Sequence, residues 1–417
     1  MSRNHFALAV VACLAVGALT ACGADDSDDD GASTDLGGLK GTPLKLSVAA
    51  FLDTPFGSLP DLYAGAQVAA ENINADGGVN GRPIEIVTCN GKADAKGEEA
   101  CAREAVDSDA IASVSNVFQV NAAAANQILA DGGLTSIAGV GGDPTLYSLP
   151  TMYPIDFPAA TFNGCASPEA LAAVGDDTSI CAFVGQNPFA EGVFSLAEPY
   201  LQGSEVGDHY AGSVSVPATQ QDFNPVVQEL DDKGANYVMV DIDPGSAGQV
   251  VTTAGSAGKD WSYCGDGGLF GPALLQQLAP VTKSFLTVVG LPPENSGNEY
   301  PLIKQFVDEM HQAVEDGNKD ASIDVNHTSA LRAWLGVQIF KEVAASIDGD
   351  VTRESFAEAM KTAKVDLGYA QIDFSKPLGN APYERVFQPE AFITRWNEES
   401  SELDEVGQVN LLDLLVH

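Results

Sequence analysis

The stretch ENINADGGVNGRPIEIV, residues 71–87, packs a helix end, a tight turn and a strand start into one short run. Just upstream, DLYAGAQVAAENINA sets Tyr63, Ala66, Val68, Ala69, Ala70 and Ile73 on a helical period, and Gly77-Gly78 supplies the left-handed stop that ends such a helix. Asn80-Gly81 then reads as a tight turn, and Pro83 suits the first position of a strand. Ile84, Ile86 and Val87 bring the β-branched side chains that strands favour. Helix, glycine turn and apolar strand in this order make the joint of a βα repeat.

The same alternation extends on both sides. Strands are expected over 44–51, 83–88, 110–114 and 134–138, separated by a helix running to 76 and by helices over 97–107 and 121–131. Such repetition places parallel strands in one sheet with helices on both faces, an α/β, doubly wound arrangement that binds ligands at the strands' carboxyl ends. Prolines cluster in LPTMYPIDFPAATF, residues 149–162, after which the pattern restarts. Helices over 158–174, 189–201, 223–233 and 245–255 alternate with strands over 179–184, 209–214 and 237–241. A strand over 285–290 reads as a return crossing. Helices over 300–315 and 327–345 follow, the second carrying Trp334, Leu335, Ile339 and Phe340 on an apolar face, and β-rich segments lie at 369–375 and 391–397. With 417 residues, 45% of them apolar and 19% charged, the chain is long enough for two domains with a sizeable core.

The first residues, MSRNHFALAVVACLAVGALTAC, carry Arg3, an apolar run over 6–19 and small residues before Cys22, the layout of a secretory leader too short for a membrane span. Leu19-Thr20-Ala21-Cys22 resembles the bacterial lipobox, whose cysteine becomes the lipid-modified first residue; an ordinary leader with an incidental cysteine is the alternative. One acyl chain anchors only marginally, so the resemblance implies a multiply acylated Cys22 on the outer face of the cell membrane. Residues 23–41 are Asp, Gly, Ser and Ala with few apolar side chains, and read as a flexible leash. No later apolar run reaches spanning length, so the expected anchor is lipid alone.

Formal charge is −38, from 20 Lys and Arg against 58 Asp and Glu. That excludes a nucleic-acid partner, whose phosphates need a basic face, and does not suit anionic lipid. Solubility through self-repulsion accounts for the acidity, with attraction of cationic ligands as the alternative. Beyond Cys13 and Cys22, cysteines stand at 89, 101, 165, 181 and 264, and the first four fall into two local pairs. Disulfides Cys89–Cys101 and Cys165–Cys181 are therefore expected; Cys264 is left as a buried thiol or as an exchange partner for either pair. No C-x-x-C or H-E-x-x-H occurs and the His residues are scattered, so neither metal nor cofactor is expected. The absence of G-x-S-x-G and of a P-loop likewise argues for binding without catalysis.

AAENINADGGVNGRPIEIV, TCNGKADAKGEEACAREAV, QILADGGLTSIAGVGGDPTL and SVPATQQDFNPVVQELDDKGANYVMVDIDPGSAGQVV together resemble the type I periplasmic binding proteins, specifically the branched-chain amino acid class that serves ABC importers. The likeness covers most of 44–290; beyond residue 327 it is one of pattern only. It implies two α/β lobes joined by three crossovers: lobe I over 42–155 plus 286–362, lobe II over 156–285 plus 363–417, after the leader (1–21) and the lipidated linker (22–41). It also implies a solute in the interlobe cleft, a monomer, and permease and ATPase subunits as partners. A sensor that reports to a membrane receptor is the alternative role for the same fold.

Matching segments carry over cleft positions. FLDTPFGS corresponds to the family loop that caps the ligand, giving Phe51, Asp53 and Phe56, and SNVFQVNA gives Phe118 and Gln119. There the hydroxyls that usually hold an amino acid's carboxylate are replaced. Gly141 and Gly142 stand where the family offers an amide and a hydroxyl, with Asp143-Pro144 suited to open a short helix. In the second lobe the likeness implies Gln186, a stacking Phe189, Ile242, Asp243, and Asp266 near the family's ammonium-binding acid. Phe189 as a core residue, and Asp243 and Asp266 as solvated acids at helix starts, are the structural alternatives. The departures favour a small, partly apolar solute, amide-bearing or aromatic, over a simple branched amino acid.

Overall fold

The computed structural model describes residues 34–54, 57–175, 180–185, 188–203, 205–217, 219–323 and 327–415, leaving aside the side chains of 181–184, 188, 189, 205 and 327. The opening stretch folds as its residues dictate. A helix over Pro60–Ala75 (α1) ends with Gly77 and Gly78 at φ of 101° and 69°, and the Gly78 amide bonds back to the Ile73 carbonyl at 2.8 Å. A side chain at Gly78 would collide with the Arg82 carbonyl. Asn80 and Gly81 both take positive φ, so Val79 and Arg82 exchange two backbone bonds across a two-residue turn. The chain then enters a strand over Ile84–Asn90 (β2). Asn74 locks the joint: its side-chain Nδ2 donates to the Ile84 carbonyl at 2.8 Å and its Oδ1 accepts from the Ile84 amide at 2.7 Å.

Around this joint, β1 (Leu44–Ala50), α2 (Ala95–Asp107), β3 (Ala112–Val114), α3 (Ala122–Asp131), β4 (Thr135–Ile137) and β5 (Met152–Tyr153) complete the first unit. Its sheet is wholly parallel, in the order β2-β1-β3-β4-β5. A connecting segment holds α4 (Thr161–Cys165) and α5 (Pro168–Val174), and the second unit follows as β6 (Ile180–Gly185), α6 (Pro188–Gly203), β7 (Tyr210–Val216), α7 (Asn224–Asp232) and β8 (Tyr237–Asp241). Then come α8 (Pro244–Ser256), β9 (Ser262–Asp266), α9 (Pro272–Leu278) and β10 (Ser284–Val289). The last segments are α10 (Pro301–Glu315), α11 (His327–Ala345), α12 (Arg353–Met360), β11 (Lys364–Asp366), β12 (Gln371–Asp373), β13 (Glu390–Asn397) and β14 (Glu402–Asn410). The second sheet runs β14-β13-β10-β9-β8-β6-β7, its last five members parallel and β13 and β14 antiparallel. Each parallel portion has the same strand order, so each has its own switch point at the carboxyl edge. Doubly wound α/β architecture is thus repeated twice.

Several expectations shift. The helix expected over 158–174 is broken, because Ser167 caps a fresh start for α5 through the Ala170 amide. The strand expected to open the return to the first lobe at 286 belongs to the second sheet as β10. Beyond 363, Val365, Leu367, Ile372 and Phe374 still pack in the core with α1 and α11, so β11 and β12 stay with the first unit and the chain crosses later. The leash also ends before 41: the Thr34 hydroxyl accepts from the Ile86 amide and the Asp35 carbonyl from Asn74 Nδ2, which covers the edge strand β2. The leader, Cys22 and the linker up to 33 lie outside the described residues.

Cys89 and Cys101 form the expected disulfide, with Cα atoms 5.6 Å apart. Cys165 corrects the other pairing: its partner is Cys264, not Cys181, at a Cα separation of 5.8 Å. Cys165 ends α4, which packs across the sheet face carrying Tyr237, Met239 and Cys264, and the Tyr237 hydroxyl donates to the Cys165 carbonyl at 2.7 Å. Spacing along the chain pointed to Cys181 because the strand beneath α4 is set by sheet order, not by sequence distance.

Candidate functional site

The carboxyl edges of both sheets face one cavity of about 310 Å³. The first unit contributes Phe51 after β1, Val117 and Gln119 after β3, and Val140 after β4; the second contributes Asp241 and Ile242 at the end of β8 and Asp266 and Leu269 at the end of β9. Ser329 and Arg332 of α11 and Pro158 of the crossover close it. Most of the wall is apolar, with a few convergent polar groups, as small-molecule sites usually are.

The crossovers meet beside this cavity. Asp156 lies just after β5, and Arg332 reaches it with Nη2 at 2.5 Å and Nε at 3.2 Å; both side chains are buried. Gly290, just after β10, packs so tightly on Asp156 that a side chain there would collide with the Asp156 Cβ. The last crossing adds Gln388, whose Nε2 donates to the Gly290 carbonyl at 3.4 Å. Burial works against the Arg332 charge, but Asp156 and Asp266 outweigh it and raise the guanidinium above its ordinary value.

Two carboxyls end adjacent strands. Val240 pairs with Gly265, and the next residue on each strand is an acid, Asp241 and Asp266. Asp241 is 4% exposed and its Oδ2 has no hydrogen-bond partner among the described residues. Burial and then the neighbouring Asp266 charge push its carboxyl up to about 7. Burial likewise pushes Asp266 up to about 6, against the Gly268 amide bonded to its Oδ1 and the Arg332 charge. Asp243, by contrast, accepts from the Ser246 amide at 2.9 Å and caps α8 while lining the cavity.

The loop bearing Gln119 is set by Glu98 of α2. This buried carboxylate accepts from the amides of Gln119 at 2.6 Å, Val120 at 3.0 Å and Asn121 at 2.7 Å, fixing the turn that leads into α3. Of the expected positions, then, Phe51, Gln119, Ile242, Asp243 and Asp266 line the main cavity. Phe118 and Gly142 line a neighbouring cavity of about 130 Å³, which shares Gln119 with the first and is bounded by Ser195 of α6 and Tyr383. Asp53 and Gly141 line neither; the Gly141 carbonyl accepts from the Tyr147 hydroxyl at 2.9 Å. Phe56, Gln186 and the Phe189 side chain lie outside the described residues. Sequence reading passed over Asp241, Ser329, Arg332 and Glu98. Arg332 left a signal: a single charge within the mostly apolar stretch LRAWLGVQIF of α11 needs a buried partner.

A family model described as a periplasmic binding protein matches residues 43–399, and the chain belongs to that family, in its type I fold. The Leucine-, isoleucine-, valine-, threonine-, and alanine-binding protein of Pseudomonas aeruginosa is 22% identical over 367 residues, 86% of this chain and 91% of its own length. Among solved structures, a fatty acid ABC transporter substrate-binding protein from Thermomonospora curvata aligns with a TM-score of 0.71 at 17% identity, covering 91% of this chain and 97% of that one. A branched-chain amino acid transporter substrate binding protein from Streptococcus pneumoniae, in complex with isoleucine, aligns at 0.68 and 18%, covering 88% and 99%. At these identities the structural likeness speaks to fold. No helix among the described residues is long and apolar enough to cross a membrane.

Proposed function

We propose that this protein captures a small solute in the cavity between its two sheets and delivers it to an ABC importer, acting by binding and closure without chemistry. The observation that carries this reading is the shared wall: loops after β1, β3 and β4 and loops after β8 and β9 line one cavity, so a solute touching both favours the closed arrangement by its differential affinity. The adjacent crossovers at Asp156, Gly290 and Gln388 supply the axis about which such closure turns. A multiply acylated Cys22 tethers the chain outside the membrane, and permease and ATPase subunits receive the solute from a monomer. Melting temperature is the first test, measured against a panel of amino acids, amides, aromatic acids, ureas and amines, since a ligand that binds only the folded state raises it. A hit that also narrows the scattering envelope and stimulates the reconstituted importer's ATPase supports the reading; a panel without a single shift counts against it.

A further inference from the structure

Among the described residues of the main cavity, the Arg332 guanidinium and the amides of the Gln119 loop are already paired with acids. Arg332 is paired with Asp156 in a buried two-point contact. The amides of Gln119, Val120 and Asn121, just ahead of α3, are held by Glu98. The start of α9 is a single short helix of Pro272–Leu278, and Pro272 removes one of its amides. The carboxyls in the wall are Asp243, which caps α8, Asp266, and Asp241, whose Oδ2 is buried and bonds to nothing among the described residues. A buried carboxyl oxygen without a partner is costly, so a cation brought beside Asp241 relieves that cost.

We propose that the cleft takes a small organic cation, an amine, ammonium or amidinium on an apolar body and lacking a carboxylate, with Asp241 and Asp266 as its counter-ions. The assignment rests on the solute-receptor function above and names the class of solute. A cation placed between these strand ends gains charge-assisted contacts in a mainly apolar cavity, while Phe51, Val117, Val140 and Leu274 cover its apolar part. An amino acid would bring its carboxylate to a wall whose guanidinium is already paired with Asp156. The acidity of the whole chain, −38, raises the local concentration of cations and repels anions.

A matched ligand series tests this on the purified full-length protein: isoamylamine, leucine and 4-methylpentanoate on one body, phenethylamine, phenylalanine and 3-phenylpropionate on another, and benzyltrimethylammonium as a cation that cannot titrate. Calorimetry is expected to show a cation binding at least tenfold tighter than the amino acid and the acid of the same body. Asp241→Asn and Asp266→Asn should each weaken it tenfold or more while the variant keeps its cooperative melt. Affinity for benzyltrimethylammonium should fall as pH drops from 8 to 5, since Asp241 and Asp266 take up protons; Asp156 with Arg332, and Asp243, are the other charged groups at the cavity. If an amino acid or a carboxylate binds and its amine does not, the solute receptor stands and the cation assignment is overturned. If none of the series and none of the broader panel binds, both are overturned.

Discussion

Arg332 of α11 and Asp156 of the first crossover form a buried ion pair, 2.5 Å at its shortest, on the rim of the cavity that both sheets share. The pair ties a helix of the first unit to the segment that leads into the second, and it leaves no net charge of its own at the cavity. Removing one partner leaves an uncompensated buried charge. Arg332→Ala is therefore expected to cost about 3–5 kcal/mol in chemical denaturation, whereas Arg332→Met combined with Asp156→Leu should recover most of that loss. A double variant as unstable as the single would show that the pair contributes more than mutual neutralisation.

Stability should respond to pH through Asp241 and Asp266. Their native carboxyls sit at about 7 and about 6, above the ordinary 3.8, so between those values the native state holds protons that the unfolded chain has released. Stability from this source is present at low pH and is lost as pH rises through that window, at up to about 1.4 kcal/mol per unit per group. Urea titrations of the ligand-free protein at pH 5 and pH 8 are expected to show a smaller difference for Asp241→Asn than for the wild type; an equal difference would place the Asp241 proton elsewhere.

Glu98 behaves as a built-in anion. Glu98→Ala leaves the amides of Gln119, Val120 and Asn121 without their acceptor, at a cost of about 1–3 kcal/mol. Acetate at millimolar concentration should raise the melting temperature of that variant and leave the wild type unmoved. Absence of rescue would mean that the loop rearranges rather than holding its slot open.

Peptide mapping without reduction should link the Cys165 peptide to the Cys264 peptide, and the Cys89 peptide to the Cys101 peptide. Because the longer bridge spans 99 residues, Cys264→Ser is expected to destabilise by about 2–5 kcal/mol. A Cys165–Cys181 linkage in the map would refute the packing of α4 over β9.

Asn74 is purely structural. Asn74→Ala removes its two bonds to Ile84 and the one to Asp35, so unfolding should become easier by about 1–3 kcal/mol with solute affinity unchanged.

Local information was enough for the repeating units. The Gly77-Gly78 stop, the Asn80-Gly81 turn and the β-branched run after Pro83 each act over a few residues, so they could be read directly and recur in the structure where expected. The bounds of α11 were likewise legible, from its apolar face. The strand over Glu402–Asn410 was not: SELDEVGQVN is polar and exposed on one side, and it becomes a strand only because β13 offers it an edge. The likeness to a known class brought Phe51, Gln119, Ile242, Asp243 and Asp266 to attention, since loops after equivalent strands fall at equivalent edges.

What the sequence determined by itself is therefore the βα alternation, its duplication and the acidity that excludes polyanionic partners, because these depend on period and composition. What only the tertiary structure decided is which distant groups meet: Arg332 with Asp156, Glu98 with the amides of residues 119–121, Cys165 with Cys264, while the Asp241 Oδ2 has no partner among the described residues. Pairing of that kind is set by strand order and crossover position, and a buried charge takes its meaning from its neighbours in space.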